Sequence, residues 1–423
     1  MGSKLSITDA FGSKHRENKK SWEALMSNDR IATPERVQKT QVHLDRIRGC
    51  LIGGAAGDAL GYPVEFFSEH TLWARYGDDG IQEYELDPVR DKALISDDTQ
   101  MTLFTANGIL YGETRMATRG IGSAPHCYVS RSYQDWLFTQ QASFSERSTA
   151  GGISWLLEIP ELYRRRAPGN TCLSALTQQK RNADGPLSSY IDHPQNHSKG
   201  CGGIMRVAPL GLREYNISIQ ELDREGAEIA AITHSHSLGY MPAAVLVHIL
   251  HRIVYPEKEQ TLQEIVCEAR DTVGSLFPGD AHLGELTDLI DLAVRLAGNQ
   301  APDLENIHRL GEGWVAEETL AIAIYCALRH PDDFSAGIIA AVNHRGDSDS
   351  TGAVTGNILG ALLGYDAIDE KWKQDLEFRD VILEMADDLC HGCQMEAYSR
   401  YCDPDWSRKY IYAHWKDTPS ESR

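Results

Sequence analysis

The sequence predicts an all-α fold, a single compact helical bundle with functional loops between its helices. Three observations lead there. Apolar residues recur at helical spacing over most of the chain, and β-branched alternating runs are almost absent. Three further stretches, 78–95, 112–130 and 180–205, are rich in Gly, Asp, Pro and Ser and read as loops. Loops that long in a compact domain tend to be functional. No fixed-period repeat is present, which disfavours a solenoid.

Taken in order, residues 1–42 form an N-terminal extension distinct from the domain at 43–423. The extension carries eight basic and five acidic residues, a net +3, so that −23 of the chain's −20 falls on the remainder. It is polar, with one short helix expected at SWEALMSN (21–28), and its basic, Trp22-containing character suits a partner-binding arm. From residue 43, HLDRIRGCLIGGAAGDALGYPVEFF reads as a buried helix ending near Gly61 and Pro63, with glycines where a neighbouring helix or ligand approaches closely. LISDDTQMTLFTANGILYG reads as a loop followed by an amphipathic helix from about Thr99, with Met101, Leu103, Phe104 and Leu110 inward. Further helical patterns follow at 132–141, 221–236, 241–255, 262–277, 286–299, 315–330, 333–344, 353–368 and 380–393.

The chain has 423 residues, 42% of them hydrophobic and 24% charged, which is the balance of a water-soluble globular protein. The first twenty residues lack an apolar signal segment, and no run of about 18 apolar residues occurs, so a cytoplasmic location away from membranes is expected. A net charge of −20 argues against nucleic acid or anionic membrane as a partner, and the acidic surface favours a monomer. Nine cysteines, an odd number, read as reduced thiols, and Cys390 and Cys393 of CHGC are expected to line one helix face.

Two clusters carry the chemistry. SDDTQMT (96–102) and DSDS (347–350) each place two aspartates within three residues beside hydroxyls, and each opens a small-residue helix. Alone, either reads as a helix cap. Brought together, four carboxylates would repel unless cations neutralised them, and hard cations such as Mg²⁺ take oxygen ligands of this kind. Asp58, in AAGDALG, sits among small apolar residues and would need a partner if buried. The glycine-rich loop SKGCGG (198–203) allows close backbone approach, and consecutive N–H groups there would cradle a diphosphate. Cys201 has no evident basic partner and is not a nucleophile candidate. His234 and His236 in THSHSLGY are two apart, a poor spacing for joint metal binding. Arg206 is expected to tie its loop down through carboxylate hydrogen bonds.

The ordered set GCLIGGAAGDALGYPVEF, SDDTQMT, RRAPGNTCLSAL, SKGCGGIMRVAPLGL, THSHSLGY, GEGWVAEETLAIAIY and NHRGDSDSTGAVTGNILGA resembles the ADP-ribosylglycohydrolase family, in particular its dinitrogenase reductase-activating type. The resemblance runs from about residue 45 to 390. It implies an orthogonal helical bundle with two Mg²⁺ ions, Mn²⁺ serving as a substitute, that cleaves ADP-ribose from modified arginine on proteins. The implied metal ligands are Ser96, Asp97, Asp98, Asp347, Asp349 and Ser350, and the implied catalytic residues are Glu65 and Asp349. Ser198, Lys199, Gly200, Cys201, Gly202, His234 and His236 would line the ADP-ribose site. An acidic hydrolase with an added basic arm also suits an immunity protein paired with an ADP-ribosyltransferase toxin. The alternatives are a hydrolase of serine-linked or other ADP-ribosyl compounds and a primarily toxin-binding inhibitor.

Overall fold

A computed structural model describes residues 34–182, 186–398 and 400–413. The expected helix at 21–28 lies outside them. The centre of the molecule is a pair of helices, α1 (Pro34–Gly61) and a late helix, Ser348–Leu363, packed antiparallel at backbone distance. Glycines four residues apart on both make this contact. A Cβ placed on Gly49, Gly53 or Gly57 would lie 2.1, 2.3 or 1.9 Å from the carbonyl oxygens of Gly360, Gly356 and Gly352 respectively. Only hydrogen side chains fit there, so the sequence spacing sets the register of the two helices. Asn357 adds a side-chain bond to the Cys50 carbonyl at 2.9 Å. The consequence for function is positional, because the C-terminus of α1 arrives beside the N-terminus of its partner.

Around this pair the helices follow in order: α2 (Glu69–Tyr76), α3 (Asp97–Arg119), α4 (Pro125–Gln141), α5 (Asn170–Asn182), α6 (Ala208–Gly211), α7 (Ile219–Ala231) and α8 (Ser237–Val254). The second half adds α9 (Leu262–Leu276), α10 (Leu283–Ala297), α11 (Asp303–Leu310), α12 (Ala316–Arg329), α13 (Phe334–Val342), α14 (Ser348–Leu363), α15 (Arg379–His391) and α16 (Pro404–Tyr410). Among the described residues the only strands are the two-residue pair Leu86–Asp87 and Lys92–Ala93. The all-α expectation holds. α8 is long and apolar enough to cross a membrane by composition, but it is buried on nearly all sides by its neighbours, as expected of a helix at the centre of a large core.

Three local expectations change. Helix α1 begins at Pro34, upstream of the start expected of it at residue 43. Residues 112–130 are not a loop: α3 runs to Arg119 and α4 starts at Pro125. Gly112 is a packing glycine, since a Cβ there would meet the Tyr128 ring at 2.4 Å. Cys390 and Cys393 do not share a helix face, because α15 ends at His391 and the Cys393 thiol turns to the Met395 carbonyl. All nine cysteines are free, as expected.

Candidate active site

Three chain ends converge: the C-terminal end of α1 with its following turn, the start of α3 and the start of α14. The start of α3 is fixed twice. Ser96 accepts the Asp98 N–H at 3.1 Å as a helix cap. Asp58, fully buried on α1, accepts the N–H groups of Ser96 and Thr99 at 2.9 and 3.2 Å and is also bonded by the Thr99 hydroxyl. The partner that a buried Asp58 requires is therefore the α3 N-terminus. The start of α14 is capped by Asp347, which accepts the Ser350 N–H at 3.3 Å. Gly346 permits the preceding turn with φ of +126°, and a Cβ there would strike the Glu312 carbonyl oxygen at 2.0 Å.

The two acidic motifs meet. Ser350 Oγ donates to Asp98 Oδ2 at 2.9 Å across 252 residues of sequence. Glu65, just after α1, completes a cluster in which one carboxylate oxygen from each of Glu65, Asp347 and Asp349 lies within 4.8 Å of the others. Asp97 accepts the Gly169 N–H at 3.3 Å. Burial, reinforced by the neighbouring Asp347, pushes Glu65 up to about 9, and burial with the Asp58 and Asp347 charges pushes Asp97 to about 8. Asp98 is raised well above the carboxylate range by burial and then by the Asp58, Asp97 and Asp347 charges, and Asp349 by burial and then by the Asp98, Asp347 and Glu65 charges. Asp58 is pushed by burial to about 6 against the hydrogen bonds it receives.

These carboxylates have no protein counter-charge, since among the described residues none of Glu65, Asp97, Asp98, Asp347 or Asp349 makes an ion pair. Glu65 Oε2 is buried with no hydrogen-bond partner. An all-oxygen donor set with an orphaned buried carboxylate oxygen and mutual repulsion fits a divalent hard cation.

The glycine-rich loop lies against this cluster. Cys201 Sγ donates to Asp347 Oδ2 at 2.7 Å, and burial with the Asp347 charge raises the thiol well above its usual range, so it is no nucleophile. The loop does not offer the expected run of free N–H groups. Ser198 N–H goes to Asn196, Gly200 N–H to Ser198 Oγ and Cys201 N–H to the Trp314 carbonyl. Lys199 is drawn away to Glu317 and Glu285. His234 stands behind the loop, with Nδ1 at 2.8 Å from Thr233 Oγ1, and its ring leaves no room for a side chain at Gly202. Burial, then the Arg206 charge, pushes it down to about 3, so it is neutral. His236 caps α8 through Nδ1 and lies against His282, with ring centroids 4.6 Å apart and planes tilted by 48°. Arg206 has no carboxylate: fully buried, it donates to Thr233 Oγ1 at 2.6 Å and lies over the Tyr133 ring at 4.4 Å.

Two features escape sequence reasoning. Arg166 and Glu377 form a buried pair at 2.8 Å that braces the SDD loop, Glu377 accepting Ile95 N–H and the Arg166 carbonyl accepting Asp97 N–H. Neither belongs to an acidic cluster that would single it out. The other is a stacked aromatic pair, Phe66 and Trp314, whose only sequence signal was their place in GYPVEF and GEGW.

An all-helical protein with opposed acidic helix N-termini around a buried carboxylate cluster offers the oxygen donors that suit a hard cation, and the comparisons say which class of protein carries it. Residues 39–398 match the ADP-ribosylglycohydrolase family, and the chain belongs to it. It is similar to an uncharacterized protein of Archaeoglobus fulgidus (27% identical, covering 82% of this chain and 96% of the relative). Human ADP-ribosylhydrolase ARH3 is 25% identical over 79% of this chain and 90% of its own length. The ADP-ribosylarginine hydrolase Tri1 of Serratia proteamaculans is 24% identical over 87% and 85%. An ADP-ribosylglycohydrolase-related protein complex shares the fold with a TM-score of 0.54 at 24% identity, covering 83% of this chain and 98% of that one. The chain is accordingly an ADP-ribosyl glycohydrolase by family.

Proposed function

We propose that the protein hydrolyses the N-glycosidic bond of ADP-ribosylated arginine on proteins, with two Mg²⁺ ions held by Ser96, Asp97, Asp98, Asp347, Asp349 and Ser350. The observation that carries this reading is the meeting of the two motifs, joined by the Ser350–Asp98 bond and closed by Glu65. Bound Mg²⁺ supplies a Lewis acid that neutralises the cluster and lowers the pKa of water. The chain's own part is geometric. Asp97, Asp98, Asp347 and Asp349 fix the ribose hydroxyls relative to the reacting C1″, where oxocarbenium character develops. With the cluster neutralised Glu65 would be ionised, and its unpartnered Oε2 would take the proton of the attacking water and return it to the guanidine nitrogen as the C1″–N bond breaks, while Asp349 orients that water. The Gly200–Gly202 backbone, held by His234 behind it, lines the ADP-ribose.

The arginine linkage is the finer part of this reading. The ADP-ribosylarginine hydrolase Tri1 is named for it, whereas the ARH3 relatives are named for no linkage, so hydrolysis of serine-linked ADP-ribose is the second reading. The extension carries a further proposal, that its basic character docks an ADP-ribosyltransferase toxin against which the hydrolase gives immunity. Incubating the protein with arginine-linked and serine-linked ADP-ribosyl substrates, with Mg²⁺ and then with EDTA, tests the central claim. Mg²⁺-dependent ADP-ribose release from the arginine conjugate is expected; release from the serine conjugate alone would replace the first reading with the second.

A further inference from the structure

Phe66 and Trp314 are large apolar residues left facing solvent, 73% and 39% exposed. Their rings stack with centroids 5.8 Å apart and planes inclined by 21°. Both are tied to the carboxylate cluster by the chain itself. Phe66 follows Glu65 directly. Trp314 accepts the N–H of Cys201, whose thiol is on Asp347, and follows Gly313, where a Cβ would lie 3.4 Å from Asp347 Cβ. The pair thus stands on the solvent side of the carboxylate cluster. Of the charges near it, Glu65 and Asp347 belong to the cluster, while Arg345 is committed to Glu312 at 2.9 Å. A π face attracts a planar cation more than a neutral hydroxyl.

We propose that Phe66 and Trp314 are specificity-determining residues: a stacking platform for the guanidinium of the arginine that carries ADP-ribose. This rests on the glycohydrolase reading above and supplies its selection of linkage. A serine conjugate has no delocalised group to lay on the rings. Because both rings are solvent-exposed, replacing them leaves the core intact.

The test uses the full chain with Mg²⁺ and four variants: Phe66→Leu, Trp314→Leu, Phe66→Tyr and Trp314→Phe. Each leucine variant should lower kcat/KM on ADP-ribosyl-arginine by about 2- to 30-fold, the range for a cation on an aromatic face. The two aromatic variants should restore it, and calorimetric affinity for free ADP-ribose should not change in any of them. A matching loss of ADP-ribose affinity would assign the rings to adenine and overturn the proposal, as would leucine variants equal to the parent on the arginine conjugate. A parent protein that cleaves only the serine conjugate overturns the arginine reading itself, which the variants' behaviour leaves separate.

Discussion

Asp58 and Glu65 are seven residues apart and do opposite things with a buried carboxylate. Asp58 spends its oxygens on the first N–H groups of α3, so it fixes where Asp97 and Asp98 point without facing the cluster. Asp58→Asn should weaken Mg²⁺ binding by about 10- to 100-fold, the usual cost of losing an outer partner of the ligands, with kcat at saturating Mg²⁺ less affected. Mg²⁺ titration of activity separates the two. Glu65→Gln, which removes one charge from the cluster, should weaken Mg²⁺ binding and, at saturating Mg²⁺, still lower kcat by about 10²- to 10⁴-fold, the usual worth of a positioned base. His234 supplies a pH dependence. Its folded pKa, about 3, lies below the ordinary histidine value. The unfolded chain therefore takes up a proton first as pH falls below about 6.5, and stability from neutral His234 is lost between there and about 3, on the order of 1 kcal/mol per unit. Urea unfolding at pH 7 and pH 5 should show a smaller acid loss for His234→Gln than for the parent.

At the scale of elements, the contact between α1 and α14 decides how close the two halves of the site come. Gly356→Ala would put a methyl 2.0 Å from the Gly53 carbonyl oxygen, and both are backbone, so the helices must separate. Overpacking of this kind costs about 1–3 kcal/mol or more. The separation also draws Asp347 and Asp349 away from Glu65. Melting temperature and activity should therefore fall together, whereas Gly274→Ala, at an open glycine on α9, should change neither. The same contact shows what could be read beforehand. The four-residue glycine spacing in GCLIGGAAGDALG announced close approach, and the matching spacing at 352, 356 and 360 was present in the motif that carries DSDS. Polar clusters inside apolar, small-residue helices are legible because burial makes them costly. The Arg166–Glu377 brace was not, because nothing in RRAPGN points to an acidic partner 211 residues away and only folding makes the two neighbours. Residues 112–130 misled for the reverse reason, since Gly112 serves packing against Tyr128 and not a turn.

For the whole molecule, the cluster is a junction where residues 58–65, 96–99 and 347–350 are held at one point, so binding there couples the first helix to the last third of the domain. Among the described residues, the only direct side-chain link between the two motifs is the neutral Ser350 hydroxyl on Asp98, set against mutual carboxylate repulsion when no cation is bound. A ligand that binds only the folded state adds stability as the logarithm of its concentration, about 2.7 kcal/mol at a hundredfold excess over Kd. Mg²⁺ should raise the melting temperature of the full chain by a few degrees, scaled down by its size. EDTA should reverse the rise, and Asp349→Asn should reduce it even where the variant folds. The Phe66→Leu variant, altered only on the solvent side of the cluster, should keep the full Mg²⁺ shift, so that a thermal titration distinguishes damage to the metal junction from damage to substrate selection. An unchanged melting temperature across the Mg²⁺ range in the parent would show that these carboxylates are balanced by something other than a divalent cation.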